Sequence, residues 1–172
     1  WRTFWRLPWL GAWLREQIFE DLNGEWDVEI RSNWPIIEKM LESSSDPKVQ
    51  KFDPRTADAS FPPFKFIPFK ATIRQGWTYA TAEIHPNGET PLLTSRTISF
   101  DLIKKNSDFP HRVAWVFRQT NRDVGATDDS CFFGGAILEV NGPNELRGEY
   151  WNNRAWRKGL NAAGTITMRR VK

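Results

Sequence analysis

The sequence predicts a mainly β protein, a compact antiparallel up-and-down β-barrel of about eight strands. Short segments that alternate apolar and polar residues recur from residue 24 onward, and this is the pattern of half-buried strands. Turn sequences such as HPNG and NGPN separate several of these segments and are typical of connections between sequential antiparallel strands. Ten Trp and twelve Phe among 172 residues favour strands over helices.

The first predicted strand is EWDVEIRS at residues 25–32, where tryptophan, valine and isoleucine alternate with charged residues. A short helix is predicted over about residues 34–43, because Pro35 suits a first turn and apolar residues then recur at helical spacing. Residues 43–68 contain five prolines and few periodic apolar positions, so they are predicted to form a long loop.

The remaining chain is predicted to consist of strands. Residues 69–84 contain Gly76 near their middle, where a bend or bulge would let one long strand serve as two. Gly134 and Gly135 mark a second place where the backbone must bend or be closely approached. The other predicted strands cover residues 92–104, 112–119, 131–140, 145–152 and 163–170.

The first 21 residues differ in composition from the rest. Tryptophan recurs every four residues from Trp1 to Trp13, among arginines, and this composition is typical of a membrane–water interface. A short connector helix is predicted over residues 10–22. We therefore predict a juxtamembrane connector at residues 1–21 and a ligand-sensing β-barrel at residues 22–172. An amphipathic segment packed on the barrel or at an oligomer seam is the alternative.

Signals for catalysis are poor. The two histidines, His85 and His111, adjoin prolines in predicted turns, and Cys131 is the single cysteine. No cysteine–histidine metal pattern and no phosphate-binding glycine-rich loop occur in the sequence. We expect a binding domain that is not an enzyme and has no metal or cofactor. A net charge of +3 is too small to predict binding to a DNA or RNA polymer.

The stretch RGEYWNNRAWRKGLNAAG, residues 147–164, mixes aromatic, arginine and asparagine residues. Aromatic faces stack on bases, guanidinium groups bind phosphates, and amides recognise polar edges. The alternative is a barrel hairpin with ordinary aromatic packing and a solvated basic loop. Across this stretch and the neighbouring strands, the candidate ligand-binding residues are Arg74, Trp77, Tyr79, Arg118, Tyr150, Asn152, Arg154 and Trp156.

Three blocks of the sequence resemble a known family. LNGEWDVEIRSNWP, ATIRQGWTYATAEI and GEYWNNRAWRKGLNAAGTI look like parts of the β-strand-rich domain of the SMODS-associated two-transmembrane effectors, which are STING-like cyclic dinucleotide receptors. The matching blocks cover most of residues 22–168. The resemblance implies a place in bacterial CBASS anti-phage systems, beside a nucleotidyltransferase that makes a cyclic oligonucleotide, and a barrel that binds this signal.

The resemblance also implies an assembly and a location. Two transmembrane helices would precede the barrel and anchor it to the bacterial inner membrane, with the barrel in the cytoplasm. Ligand binding would drive formation of a homo-oligomer, disruption of the membrane and abortive infection. This sequence does not include the transmembrane pair, and residues 1–21 would be the interfacial connector.

Two other functions stay open from the residues alone. A lipocalin-type carrier of an apolar ligand would have an apolar interior, with Arg74 and Arg118 outside. A structural oligomerisation barrel would have a filled core and no ligand.

Overall fold

A computed structural model describes residues 19–55, 62–76, 78–88, 92–122 and 129–171. These residues form eight strands that pair antiparallel in chain order and close into a barrel, since β8 also pairs with β1. The predicted fold class, with one short helix after the first strand, is therefore confirmed. The elements are β1 (Gly24–Ser32), α1 (Trp34–Ser45), β2 (Lys65–Gln75), β3 (Ala80–Pro86), β4 (Leu92–Ile103), β5 (Arg112–Asn121), β6 (Cys131–Val140), β7 (Glu145–Asn152), a short 3₁₀ helix (Trp156–Lys158) and β8 (Ala163–Arg170).

The barrel interior is the main hydrophobic core, and every strand contributes its inward-facing alternate residues to it. Trp26 and Trp115 are its largest fully buried side chains. On β5 successive side chains alternate between the two faces, since Trp115 and Phe117 are buried while Arg118 is exposed. The strands are thus defined by the same period of two that their sequences show.

Two glycines allow neighbouring strands to approach closely, one where β7 pairs with β6 and one where β8 closes the barrel on β1. A Cβ atom at Gly148 would lie 1.9 Å from the carbonyl oxygen of Ile137, and a Cβ at Gly164 would lie 1.9 Å from that of Arg31. No side chain can be accommodated at such a distance without a backbone shift. These two positions therefore require glycine, because the backbone of the neighbouring strand is too close for a side chain.

Some predicted boundaries are wrong. The strand β2 begins at Lys65, so residues 66–68 pair with β1 and do not belong to the preceding loop. The segment 69–84 forms parts of two strands joined by a tight turn, in which the Gly76 N–H donates to the Tyr79 carbonyl at 2.8 Å.

The predicted connector helix over residues 10–22 lies mostly outside the described residues. Its described part, residues 19–22, is not helical. Most of the predicted connector at residues 1–21 lies outside them as well. Within the described ranges, no helix has both the length and the apolar character needed to cross a membrane.

The two ends of the barrel carry different connections, since the turns of an up-and-down barrel alternate between its ends. The end where β1 begins holds the β2–β3, β4–β5 and β6–β7 turns, and we call it the Phe19 end, because Phe19 and Leu22 pack into the core there. The opposite end holds α1 and the longer connection of residues 153–162 between β7 and β8. We call it the Tyr150 end, after the tyrosine of β7.

Candidate functional site

Strand β7 gives one set of side chains to the barrel interior and another to the outer surface. The pairing of β7 with β6 places Leu146 and Tyr150 beside inward-facing residues of that strand, and both side chains are buried. Trp151 is 50% exposed on the outer surface. The alternation of the sequence left two orientations open for this strand, and the structure has Tyr150 inside and Trp151 outside.

Tyr150 is the polar residue at the centre of the Tyr150 end. Its side chain is 8% exposed and forms a hydrogen bond with the side chain of Ser32, the last residue of β1. Burial raises the pKa of the Tyr150 phenol, while the hydrogen bond with Ser32 and the positive charge of Arg154 lower it to a smaller extent. The phenol is therefore neutral at physiological pH and remains a hydrogen-bonding group.

An arginine and a tryptophan stack beside this tyrosine. The guanidinium carbon of Arg154 lies 4.2 Å from the centre of the Trp34 ring, which is a cation–π contact. Trp34 begins α1, and its backbone N–H donates to the Ser32 hydroxyl at 3.2 Å. We call Ser32, Trp34, Tyr150 and Arg154 the Tyr150 cluster. In it a hydroxyl, an indole, a phenol and a guanidinium converge from β1, α1, β7 and the loop after β7.

The asparagines of the 153–162 loop fix its shape. The side-chain oxygen of Asn152 accepts hydrogen bonds from the backbone N–H groups of Arg154 at 3.2 Å and Ala162 at 3.1 Å. The Asn153 side chain accepts one from Phe133 N–H at 2.7 Å. Asn152 therefore has a clear structural role at its oxygen, and it positions Arg154.

A small second core ties the loop to the helix. Ile37 of α1 packs with Ala155 and Leu160 of the loop. Ala155 has a φ of 43°, which is unusual for a residue with a side chain, and its N–H donates to the Asp129 carboxylate at 2.7 Å. Helix and loop therefore form one unit that holds Trp34 against Arg154.

A buried hydroxyl lies elsewhere in the interior of this end. Ser95 of β4 is 1% exposed, and its hydroxyl has no hydrogen-bond partner among the residues that the structure describes. Ser32 and Asn121 are also buried towards this end, but both have hydrogen-bond partners. Buried polar groups without partners are rare in proteins and call for a specific explanation.

The structure divides the predicted ligand-binding residues between separate locations. Tyr150, Asn152 and Arg154 lie together at the Tyr150 end, and Trp156 lies in the same loop with 59% of its surface exposed. Arg74 and Tyr79 flank the β2–β3 turn at the opposite end of the barrel, and both are exposed. Trp77 lies outside the described residues.

Arg118 lies apart from both groups. It is on the outer surface of β5, where its Nε donates to the Cys131 sulfur at 2.9 Å. Ser32 and Trp34 were not predicted to be members of the cluster. The alternation of β1 places Ser32 on the same face as Trp26, which was a usable signal for an inward hydroxyl.

A groove of about 560 Å³ lies on the outer surface of the barrel and was not predicted. Outward-facing residues of β1, β6, β7 and β8 line most of it, among them Arg147 and Trp151. The structure thus offers two candidate sites, one on each side of β7. No group of histidine, cysteine and acidic residues among those described could hold a metal ion.

Fold and site together define an antiparallel eight-stranded barrel, in the described part of the chain, with a polar and aromatic cluster at one end. No family model matches the sequence. A curated protein from Escherichia albertii, named CD-NTase-associated protein 15, is 24% identical to this chain over 162 residues. The match covers 91% of this chain and 65% of that protein, so the chain spans less than two thirds of the relative's length.

Proposed function

We propose that this chain is the receptor domain for a cyclic dinucleotide in a membrane-anchored anti-phage effector of the CBASS type, and that it has no catalytic activity. The stacked Arg154–Trp34 pair beside the buried Tyr150 carries the proposal. A cyclic dinucleotide needs donors for two phosphates and flat apolar faces for its bases. The Tyr150 cluster presents a guanidinium and aromatic rings that are already ordered by hydrogen bonds and packing.

Two further observations support the proposal. The unpaired Ser95 hydroxyl gives the interior of this end a polar group that a ligand can satisfy. The relative from Escherichia albertii is named for its association with a CD-NTase, and the family resemblance of the sequence implies an enzyme that makes cyclic oligonucleotides.

The activity of the whole effector follows as part of the same proposal. Ligand binding favours a homo-oligomer, which clusters transmembrane helices that precede the barrel in the inner membrane and so disrupts the membrane. This requires the ligand to bind the oligomeric state more tightly than the monomeric state.

A competing function is favoured by the filled interior of the Phe19 end. Trp26 and Trp115 are each at most 1% exposed there, as expected for a structural oligomerisation barrel without a ligand. The same packing gives no support to a carrier of a large apolar ligand.

The test is a thermal-shift panel with cyclic dinucleotides, cyclic trinucleotides, linear dinucleotides and a fatty acid. A ligand at about 100 times its Kd stabilises the folded chain by about 2.7 kcal/mol, which raises the melting temperature by several degrees. We expect such a shift with a cyclic dinucleotide and none with its linear form. No shift with any cyclic nucleotide would favour the structural barrel.

The site is tested by Arg154→Ala, with Arg157→Ala as the matched control in the same loop. Arg157 is exposed, lies 5.6 Å from the Trp156 ring and is not one of the four residues of the Tyr150 cluster. We expect Arg154→Ala to weaken cyclic dinucleotide binding at least about tenfold, while Arg157→Ala binds as the wild type does. Equal loss in both variants would place the ligand elsewhere.

A further inference from the structure

The outer surface of β7, β8 and β1 carries charges in a regular pattern. Strand pairing places Arg147, Thr167 and Glu29 side by side in one row across the three strands. The next row, towards the Tyr150 end, holds Glu149, Thr165 and Arg31. We call these six residues the charge face. Each row has one positive end and one negative end, and the order of signs is reversed between the rows.

Three of the four charges of this face, those of Arg31, Arg147 and Glu149, are exposed. All six residues line the outer groove of about 560 Å³, and Arg147 and Glu149 are exposed. Within the described ranges, neither Arg147 nor Glu149 makes an ion pair or a side-chain hydrogen bond. Glu29 is 23% exposed and lies 2.8 Å from Arg31 and 3.7 Å from Arg169. Arg31 itself is 62% exposed, so it can exchange partners at little cost.

This pattern is complementary to itself under a two-fold rotation. An axis that runs between the two rows, across the strands, places each row of one copy opposite the other row of its mate. Arg147 then faces Glu149 of the partner subunit, and Arg31 faces Glu29 of the partner subunit, while the threonines lie between them. Symmetry repeats each pair, as in any isologous contact.

We propose that the charge face binds a second copy of this chain in this antiparallel arrangement. The proposal names the surface for the self-association that the proposed function includes, and in that sense it rests on that function. The long arginine and glutamate side chains reach into the two facing grooves. Trp151, which lies over Gly135 at the border of the groove, adds apolar contact area beside the charges.

The balance of signs favours a second copy over an anionic surface. The charge face holds two arginines and two glutamates, so a membrane of anionic lipids or a nucleic acid would meet repulsion as well as attraction. Ion pairs at an exposed interface contribute little each and are screened by salt. The expected contact is therefore weak and salt-dependent, which suits association that a ligand or local concentration controls.

The test reverses the sign of single charges on the charge face. Sedimentation equilibrium of the 172-residue chain at low and high salt then measures self-association. Arg147→Glu leaves two acidic residues facing two acidic residues, and Glu149→Arg leaves two basic residues facing two basic residues. Each single variant should raise the Kd of self-association at least about tenfold at low salt. The double variant Arg147→Glu/Glu149→Arg should restore association, because opposite signs again face each other.

Mixing the two single variants gives a second measurement that a folding defect cannot mimic. Neither variant pairs well with itself, but an equal mixture should form heterodimers, because an acidic pair then faces a basic pair. The control is Arg96→Glu, which reverses an arginine on β4 that is 77% exposed and lies outside the charge face. This control should associate as the wild type does.

The possible results separate this inference from the proposed function. Monomers under all conditions, or no recovery in the double variant and in the mixture, would overturn the charge face. Cyclic dinucleotide that oligomerises all variants equally would also overturn it and would leave the receptor function in place. Recovery in the double variant and in the mixture, without any cyclic dinucleotide binding, would support the charge face and count against the proposed function.

Discussion

The two ends of the barrel are built from the same strands but are closed in different ways. At the Phe19 end, apolar side chains enter the core, and backbone groups of residues 19–23 are tied down by side chains of the barrel. Leu22 N–H donates to Gln75 Oε1 at 2.8 Å, and the Trp26 indole donates to the Leu22 carbonyl at 3.0 Å. At the Tyr150 end, a helix and a loop hold polar and aromatic groups together. Apolar packing closes the first end, whereas the second end carries the polar and aromatic cluster that we propose as the ligand site.

Removal of a core tryptophan at the Phe19 end should have the largest effect on the free energy of unfolding. Trp26 is 0% exposed, so Trp26→Ala leaves a cavity and should lower the free energy of unfolding by about 3–5 kcal/mol. Trp34→Ala at the Tyr150 end should cost clearly less, because Trp34 is only partly buried. Urea denaturation measures both values. Similar losses would show that the Tyr150 end is part of the structural core.

Arg170 tests how the Phe19 end is closed. Its guanidinium lies 4.8 Å from the Trp26 ring and donates to the carbonyl oxygens of Asn23 and Asp21. Arg170→Met keeps the aliphatic packing but leaves these carbonyls unpaired, so it should lower the free energy of unfolding by about 1–3 kcal/mol. The control is Arg169→Met, since Arg169 is 60% exposed and its removal should cost less than about 0.5 kcal/mol. Equal effects would refute the role of Arg170.

The smallest expected effect is a pH dependence at the Tyr150 end. The pKa of Tyr150 is raised above its ordinary value of about 10 by burial, so the unfolded chain loses this proton at lower pH than the folded chain. Tyr150 therefore contributes stability below pH ~10 that is lost as pH rises through the folded pKa. Melting temperatures between pH 8 and 11 should fall more steeply for the wild type than for Tyr150→Phe.

The chain offers a matched control for this titration, because it contains two tyrosines. Tyr79 is 64% exposed, so Tyr79→Phe removes a tyrosine hydroxyl outside the core and serves as the control. If the melting temperature of Tyr150→Phe falls with pH as steeply as that of the wild type, the pKa of the Tyr150 phenol is the same in the folded and the unfolded chain. The different burial of the two tyrosines would then have no effect on stability at alkaline pH.

Most of the fold could be predicted from the sequence, because period-two alternation reports directly which face of a strand is buried. It put Trp115 and Phe117 on one face of their strand and Arg118 on the other. The paired glycines of β6 were also interpretable, since Gly134 lies under the Phe117 ring and Gly135 under the Trp151 indole. Strand alternation and glycine positions can be read from short stretches of the sequence, which is why these features were predictable.

The grouping of site residues was harder to predict. In an up-and-down barrel, the β2–β3 and β7–β8 connections lie at opposite ends, so the separation of Tyr79 from Tyr150 followed from the predicted topology and was missed. The contact of Ser32 with Tyr150 depends on the register between distant strands, which no local pattern reveals. The charge face depends on the same register and could not be predicted.

Closure of the barrel by β1 and β8 also affects how the chain is made. Asn33 and Ala163, which exchange hydrogen bonds of 2.9 and 3.0 Å at this seam, lie 130 positions apart. During synthesis on the ribosome, β1 has only β2 as a partner until β8 emerges. Contacts of such high sequence separation form slowly, and an unpaired strand edge invites pairing with another chain. We infer that the nascent chain is most prone to aggregation just before its last strand is complete.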